Sequence, residues 1–155
     1  MRKTMLMLAV FGLAGSLWAA DPIIGTWKLN FAKSKIPSTE KAPKEQIEIY
    51  RELNGKQIEL TFSGTEADGS PISGKWMFPL EGGIATSQPP RPKDMLYVEG
   101  MIEPGNWCVI VMQGGKQIGR IHKIVAKDGK TMGQTFKGKD DKGRPFERLW
   151  FYDRQ

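Results

Sequence analysis

The sequence predicts an all-β fold: a single antiparallel up-and-down β-barrel of about eight to ten strands. Three observations predict it. Beyond Asp21 no long window repeats its apolar residues at helical spacing, period-two segments bounded by Gly, Asn, Asp and Pro recur throughout, and the turns between them carry hairpin chemistry. Asn54-Gly55, Asp68-Gly69, Gly114-Gly115 and Asp128-Gly129 can supply the positive φ angles of tight hairpins, so successive strands should be neighbours. Such a meander exposes two edges unless it closes, and closure into a barrel removes both.

The elements follow in chain order. Arg2 and Lys3 precede the apolar run Met5 to Trp18, and Ala19-Ala20 stand before Asp21. This pattern reads as a secretory signal peptide over residues 1–20, with 21–155 as one barrel domain and an exported destination, periplasmic or extracellular. The apolar run falls short of the roughly 18 to 20 residues a membrane helix needs, and no second one follows. No stable membrane insertion is therefore expected after cleavage.

Nine segments alternate as strands: Ile24–Asn30, Gln46–Leu53, Lys56–Ser63, Ile72–Leu80, Met95–Ile102, Asn106–Gln113, Lys116–Ala126, Thr131–Gly138 and Pro145–Asp153. Two connections are longer. Phe31–Lys44 has room for a helical turn near Ala32–Lys35. Pro79–Asp94 contains Gln88-Pro89-Pro90-Arg91-Pro92, expected to be extended, and reads as a rim loop: either a stiff connector or a Pro-rich partner-binding motif.

Composition narrows the functional classes. Without the first 20 of its 155 residues the chain is long enough to bury a core, and Cys108, its one cysteine, excludes a disulfide framework. Removing Arg2 and Lys3 from the net +6 leaves +4, and the basic residues gather at turns, as at Lys137, Lys139, Lys142 and Arg144. A nucleic-acid-binding domain would concentrate them on one face, so no nucleic-acid partner is expected.

Alternation also assigns faces. Ile58, Leu60 and Phe62 share the inner face of their strand. A faint repeat at an offset of 74 residues maps Asn54–Trp76 onto Asp128–Trp150, with eight of 23 positions identical, including Phe62 with Phe136 and Trp76 with Trp150. Transferred across the repeat, the parity puts Met132, Gln134 and Phe136 inside. Ile72, Trp76 and Phe78 share a face, as do Phe146, Arg148, Trp150 and Tyr152. An arginine among inward rings needs a partner: an aromatic face, a protein carboxylate or carbonyl, or an acidic ligand. In Lys116–Ala126 the parity is ambiguous. Either Ile118, Arg120, His122 and Ile124 face inward, placing Arg120 and His122 in a cavity, or Ile121, Lys123 and Val125 do.

Ile24-Gly25-Thr26-Trp27-Lys28-Leu29-Asn30 carries Gly-x-Trp at the head of the first strand, and this resembles the lipocalin and fatty-acid-binding (calycin) superfamily. The stretch from Asp21-Pro22 to Ala32-Lys33-Ser34-Lys35, with Ala126-Lys127-Asp128-Gly129-Lys130-Thr131-Met132, is similar to small exported bacterial lipocalin-like proteins. The resemblance implies that Trp27 closes one end of the barrel beneath an arginine of the last strand, Arg148 or Arg154. It also implies a carboxylate clamp of the Arg-x-Tyr kind on that strand. Here Arg148-Leu149-Trp150-Phe151-Tyr152 puts Trp where that clamp has Tyr, and the tyrosine follows four residues after the arginine.

Catalytic motifs are missing from the sequence. A zinc site needs two or three His or Cys ligands at fixed spacing, and the chain has one of each, His122 and Cys108. No nucleophile elbow, phosphate loop or dinucleotide fingerprint occurs. Cys108 lies in the apolar run Trp107–Met112 and reads as a small hydrophobe, the alternative being a cross-strand pair with His122.

The expectation is an exported, non-enzymatic, cofactor-free barrel that binds a small hydrophobic or amphipathic molecule. Its ligand contacts are expected among Arg148, Trp150, Tyr152, Arg120, His122, Trp76 and Phe78. A filled barrel that binds or inhibits another protein through Pro79–Asp94, or an isomerase or cyclase using the cavity, are the alternatives.

Overall fold

The computed structural model describes residues 20–37, 41–139 and 143–155. The expected signal peptide therefore lies outside the described residues, apart from Ala20. Eleven strands form one antiparallel sheet: β1 (Gly25–Leu29), β2 (Glu45–Leu53), β3 (Gln57–Thr65), β4 (Pro71–Pro79), β5 (Gly83–Ile84), β6 (Thr86–Gln88), β7 (Met95–Glu103), β8 (Asn106–Gln113), β9 (Lys116–Val125), β10 (Thr131–Lys139) and β11 (Pro145–Arg154). The described residues include no helix, and hence none long and apolar enough to cross a membrane.

The strand order is β5-β7-β8-β9-β10-β11-β1-β2-β3-β4-β6. Nearly every strand pairs with its sequence neighbour through a short turn, and β11 returns to β1 with Trp27 opposite Arg154. Asn54-Gly55 makes the β2–β3 turn with both residues at positive φ, 55° and 64°. The sheet curls into a nearly closed barrel, as its alternation and turns predict.

The two short strands form the seam of that barrel. Between β4 and β7 the ladder is interrupted, and residues 83–88 cross the interruption: β5 bonds to β7, then β6 bonds to β4. Side chains complete the crossing, because Trp76 of β4 meets Tyr97 of β7 edge to face at 4.6 Å between centroids. The proline-rich stretch bends at Pro89 where the sequence suggested an extended run. In Phe31–Lys44 the expected helical turn is instead a pair of reverse turns, Asn30 to Lys33 and Phe31 to Ser34.

One end of the barrel is filled. Trp27, Ile58, Phe78, Trp107, Met132 and Tyr152 are fully buried there, with Phe78 and Trp107 edge to face at 5.4 Å. Each such side chain contributes about 1.5 to 3 kcal/mol by leaving water. Asp21 ties the segment before β1 to the β7–β8 turn, accepting from the Gly105 amide and from the Trp107 indole.

Trp27 itself explains the Gly-x-Trp pattern. Its indole donates to the Ile23 carbonyl at 2.7 Å, and the Arg154 guanidinium lies over its ring at 4.2 Å. Arg154 also donates to the carbonyls of Gly129, Ile24 and Pro22. Of the two arginines the resemblance left open, Arg154 therefore closes the barrel end. Gly25 has φ of +142°, and a Cβ there would collide with the Arg154 Nη1. Only glycine lets the guanidinium reach its place.

Candidate functional site

Above the filled end the barrel holds a half-open cavity of about 360 Å³. The internal repeat builds much of its wall: Phe62, Trp76, Phe136 and Trp150, two pairs related by the 74-residue offset, all line it. The rings lean inward because glycines receive them. A Cβ at Gly74 would sit 2.5 Å from the Phe62 ring, and one at Gly119 would sit 2.7 Å from the Phe136 ring. Both contacts are closer than real Cβ atoms allow, so each glycine creates the berth of a wall aromatic.

Charge enters the wall at three cations. Arg148 faces Phe136 across the β10–β11 ladder, and its guanidinium lies 4.2 Å from the Trp150 centroid and 5.3 Å from that of Phe136. Arg91 comes from the rim loop and lies 4.8 Å over Trp76 and 5.7 Å over Tyr97, on the seam. Lys123 is buried, 2.5 Å from the carboxylate of buried Glu99, with its ammonium 5.4 Å from the Tyr50 ring centroid and 5.2 Å from that of Phe78. Burial pushes the Glu99 carboxyl above its ordinary range, against the opposing pull of Lys123.

A second buried carboxylate, Glu48, anchors the polar part of the wall. It accepts four hydrogen bonds: from the Tyr50 hydroxyl at 2.8 Å, the Tyr152 hydroxyl at 2.8 Å, the Gln46 amide at 3.0 Å and the Gln134 amide at 2.7 Å. These fill the lone-pair positions a carboxylate offers. Burial first, and then the Glu48 charge, raise both tyrosine pKa values well above the ordinary phenol range.

The expected contacts divide three ways. Arg148, Trp150 and Trp76 line the cavity. Tyr152 and Phe78 lie beneath it: Tyr152 donates to Glu48, and Phe78 belongs to the filled end. Arg120 and His122 are outside the barrel, where a shallow outer groove holds them with Thr135, Lys137 and Glu147. The inward alternative for β9 is thus corrected: Ile121 and Lys123 face the cavity, because buried Glu99 requires a buried cation. Cys108 stands opposite His122 on that outer face, only partly buried, which corrects its reading as a core hydrophobe. Among the described residues no group of three or more His, Cys, Asp or Glu could hold a metal ion.

Sequence reasoning did not single out Arg91, Lys123, Glu99 or Glu48 as site residues. The strand Gln46-Ile47-Glu48-Ile49-Tyr50 hides its role, because it turns Gln46, Glu48 and Tyr50 inward and leaves Ile47 and Ile49 only half-buried on the other face.

Among solved structures the chain is similar to the wild-type fluorescent protein UnaG, with a TM-score of 0.61 at 12% identity over 88% of this chain and 100% of that one. A point mutant of UnaG matches with a TM-score of 0.62, also at 12% identity, over 88% of this chain and 99% of that one. The likeness is one of fold, a nearly closed antiparallel β-barrel. Comparison with protein-family models matches none, and comparison with curated proteins matches none. Identity this low shows shared architecture alone, and function rests on what the cavity itself presents.

Proposed function

We propose that this calycin barrel is an exported, non-enzymatic carrier that reversibly holds one small, mainly apolar molecule with an acidic group. The observation that carries the reading is the 360 Å³ cavity walled by paired aromatics and bearing Arg148. That volume lies within the roughly 300 to 1,000 Å³ range of small-molecule sites, and a barrel filled by its own rings would leave far less. Three cations, Arg91, Lys123 and Arg148, line the cavity with two carboxylates, Glu48 and Glu99. The imbalance favours an anion, with the apolar body against Trp76, Phe136 and Trp150 and the acidic group toward Arg148.

The likeness to UnaG supports the barrel architecture on which the cavity depends. The rim loop contributes Arg91 to the cavity wall, which favours a part in ligand binding over protein recognition. Native mass spectrometry of the protein taken directly from producing cells, with a screen of fatty acids and tetrapyrroles, tests the reading. The expected result is one bound acidic species per chain, lost on denaturation. A protein that arrives empty and binds no member of the screen overturns it.

A further inference from the structure

We propose that Lys123 captures carbonyl compounds: an apolar aldehyde in the cavity condenses with its amine to form an imine held beside Glu99. The inference rests on the carrier reading, since the aldehyde must first occupy the cavity, and goes beyond it by adding a second ligand class and a covalent site.

Four features of the site meet at one atom. Lys123 lines the half-open cavity, and its side chain is 6% exposed. The Glu99 carboxylate is 2.5 Å from that amine and equally buried. The Tyr50 and Phe78 rings stand 5.4 and 5.2 Å away and hold the amine in place. The aromatic wall above it, with Trp76 and Trp150, would take the flat apolar body that an aryl or unsaturated aldehyde presents.

The chemistry balances with the groups present. In the first step the ammonium passes a proton to the Glu99 carboxylate, 2.5 Å away. The neutral amine attacks the carbonyl carbon, the C–N bond forms and the carbonyl oxygen takes the proton as a carbinolamine. The nitrogen passes a second proton through Glu99 to the hydroxyl, the C–O bond breaks as water leaves, and the resulting protonated imine keeps the ionised Glu99 as its counter-ion. No oxidant or reductant is needed, and water reverses every step. Outer lysines also meet carboxylates, as Lys28 meets Glu45 and Lys137 meets Glu147, but those pairs are about half exposed and water competes for both partners.

The test uses cinnamaldehyde and cinnamyl alcohol on the intact protein. Alcohol binding, read by quenching of tryptophan fluorescence, reports the cavity alone. The aldehyde, added in equimolar amount at neutral pH and trapped with cyanoborohydride, reports the imine by intact mass and peptide mapping. The expected result is one reduced adduct per chain on the peptide holding Lys123, with labelling of that peptide at least ten-fold above any other. Lys123→Arg keeps a cation beside Glu99 but has no primary amine, and should lose the adduct while its circular dichroism shows a folded barrel. Adducts confined to other lysines, or unchanged in Lys123→Arg, overturn the capture, and alcohol quenching in the same samples then leaves the carrier reading standing. Neither quenching nor adduct overturns both.

Discussion

The Arg154 guanidinium sits 4.2 Å over the Trp27 ring, and the space it fills exists because residue 25 has no side chain. Gly25, Trp27 and Arg154 thus close the barrel as one unit, joining the first strand to the last. Gly25→Ala should remove about 2 to 3 kcal/mol of stability, since it combines a positive φ with displacement of a half-buried cation from three carbonyls and an indole ring. Gly114→Ala, at φ of +54° in open space, should lose about 1 kcal/mol. Urea denaturation of the pair checks this; equal losses would mean that the Arg154 contact adds nothing.

Glu48 does for the cavity wall what Arg154 does for the closed end. Glu48→Leu leaves the two phenols without their acceptor and the Gln46 and Gln134 amides with only the tyrosine hydroxyls to bond, and should cost about 3 kcal/mol or more. Glu48→Gln keeps one acceptor oxygen and should cost about half as much. A Leu variant as stable as the parent would show that Tyr50 and Tyr152 find other acceptors.

The same network fixes an alkaline limit. Tyr50 and Tyr152 have pKa values raised well above 10 in the folded barrel, by burial first and then by Glu48. Above pH about 10 the unfolded chain loses these protons while the folded one keeps them, so stability is full below that pH and declines as pH rises through it. Tyrosinate absorbance should therefore gain the share of these two residues together with the loss of near-ultraviolet circular dichroism. Full titration of all three tyrosines of the chain before any such loss would contradict the buried network.

Much of this architecture was legible in the sequence, and the part that was not has a physical cause. The nine segments read from alternation match nine strands to within two residues at each end, because a half-buried sheet writes its faces directly into period two. Strands β5 and β6 were missed: at two and three residues they are too short to carry a period. On β9 the pattern gave no answer, since each face mixes apolar residues with a cation. The tie is broken by Glu99, 24 positions from Lys123 and on a strand that does not pair with β9. On β2 the polar face is the buried one, an arrangement stable only because Tyr50, Tyr152, Gln46 and Gln134 converge on Glu48 from two distant parts of the chain.

Which arginine meets a ligand is open to direct test. Arg148→Met should weaken binding of an aromatic carboxylic acid by about ten-fold, equivalent to about 1.4 kcal/mol, while binding of its methyl ester changes little. Arg120→Ala with His122→Ala, both on the outer face, should leave both affinities unchanged. Isothermal titration of the two ligands against the two variants separates the outcomes; equal losses for acid and ester in Arg148→Met would assign Arg148 to packing.

The seam is where a ligand should pass. Residues 83–88 bond to β7 and β4 in turn over only two and three residues, so few hydrogen bonds hold the two edges together. The Trp76–Tyr97 contact, with Arg91 over both rings, supplies the remaining attachment. An aromatic pair of this kind contributes about 0.5 to 1.5 kcal/mol beyond its buried area, and the cation a similar amount. Tyr97→Ala should therefore raise the dissociation rate of a bound ligand by about ten-fold, more than it changes the association rate, because the bound state is what the closed seam protects. Phe136→Ala removes a wall ring on the far side of the barrel and should weaken affinity without that kinetic signature. Stopped-flow displacement measures both. If Tyr97→Ala dissociates no faster than Phe136→Ala, ligands leave by another route and the seam is only the place where the sheet ends meet.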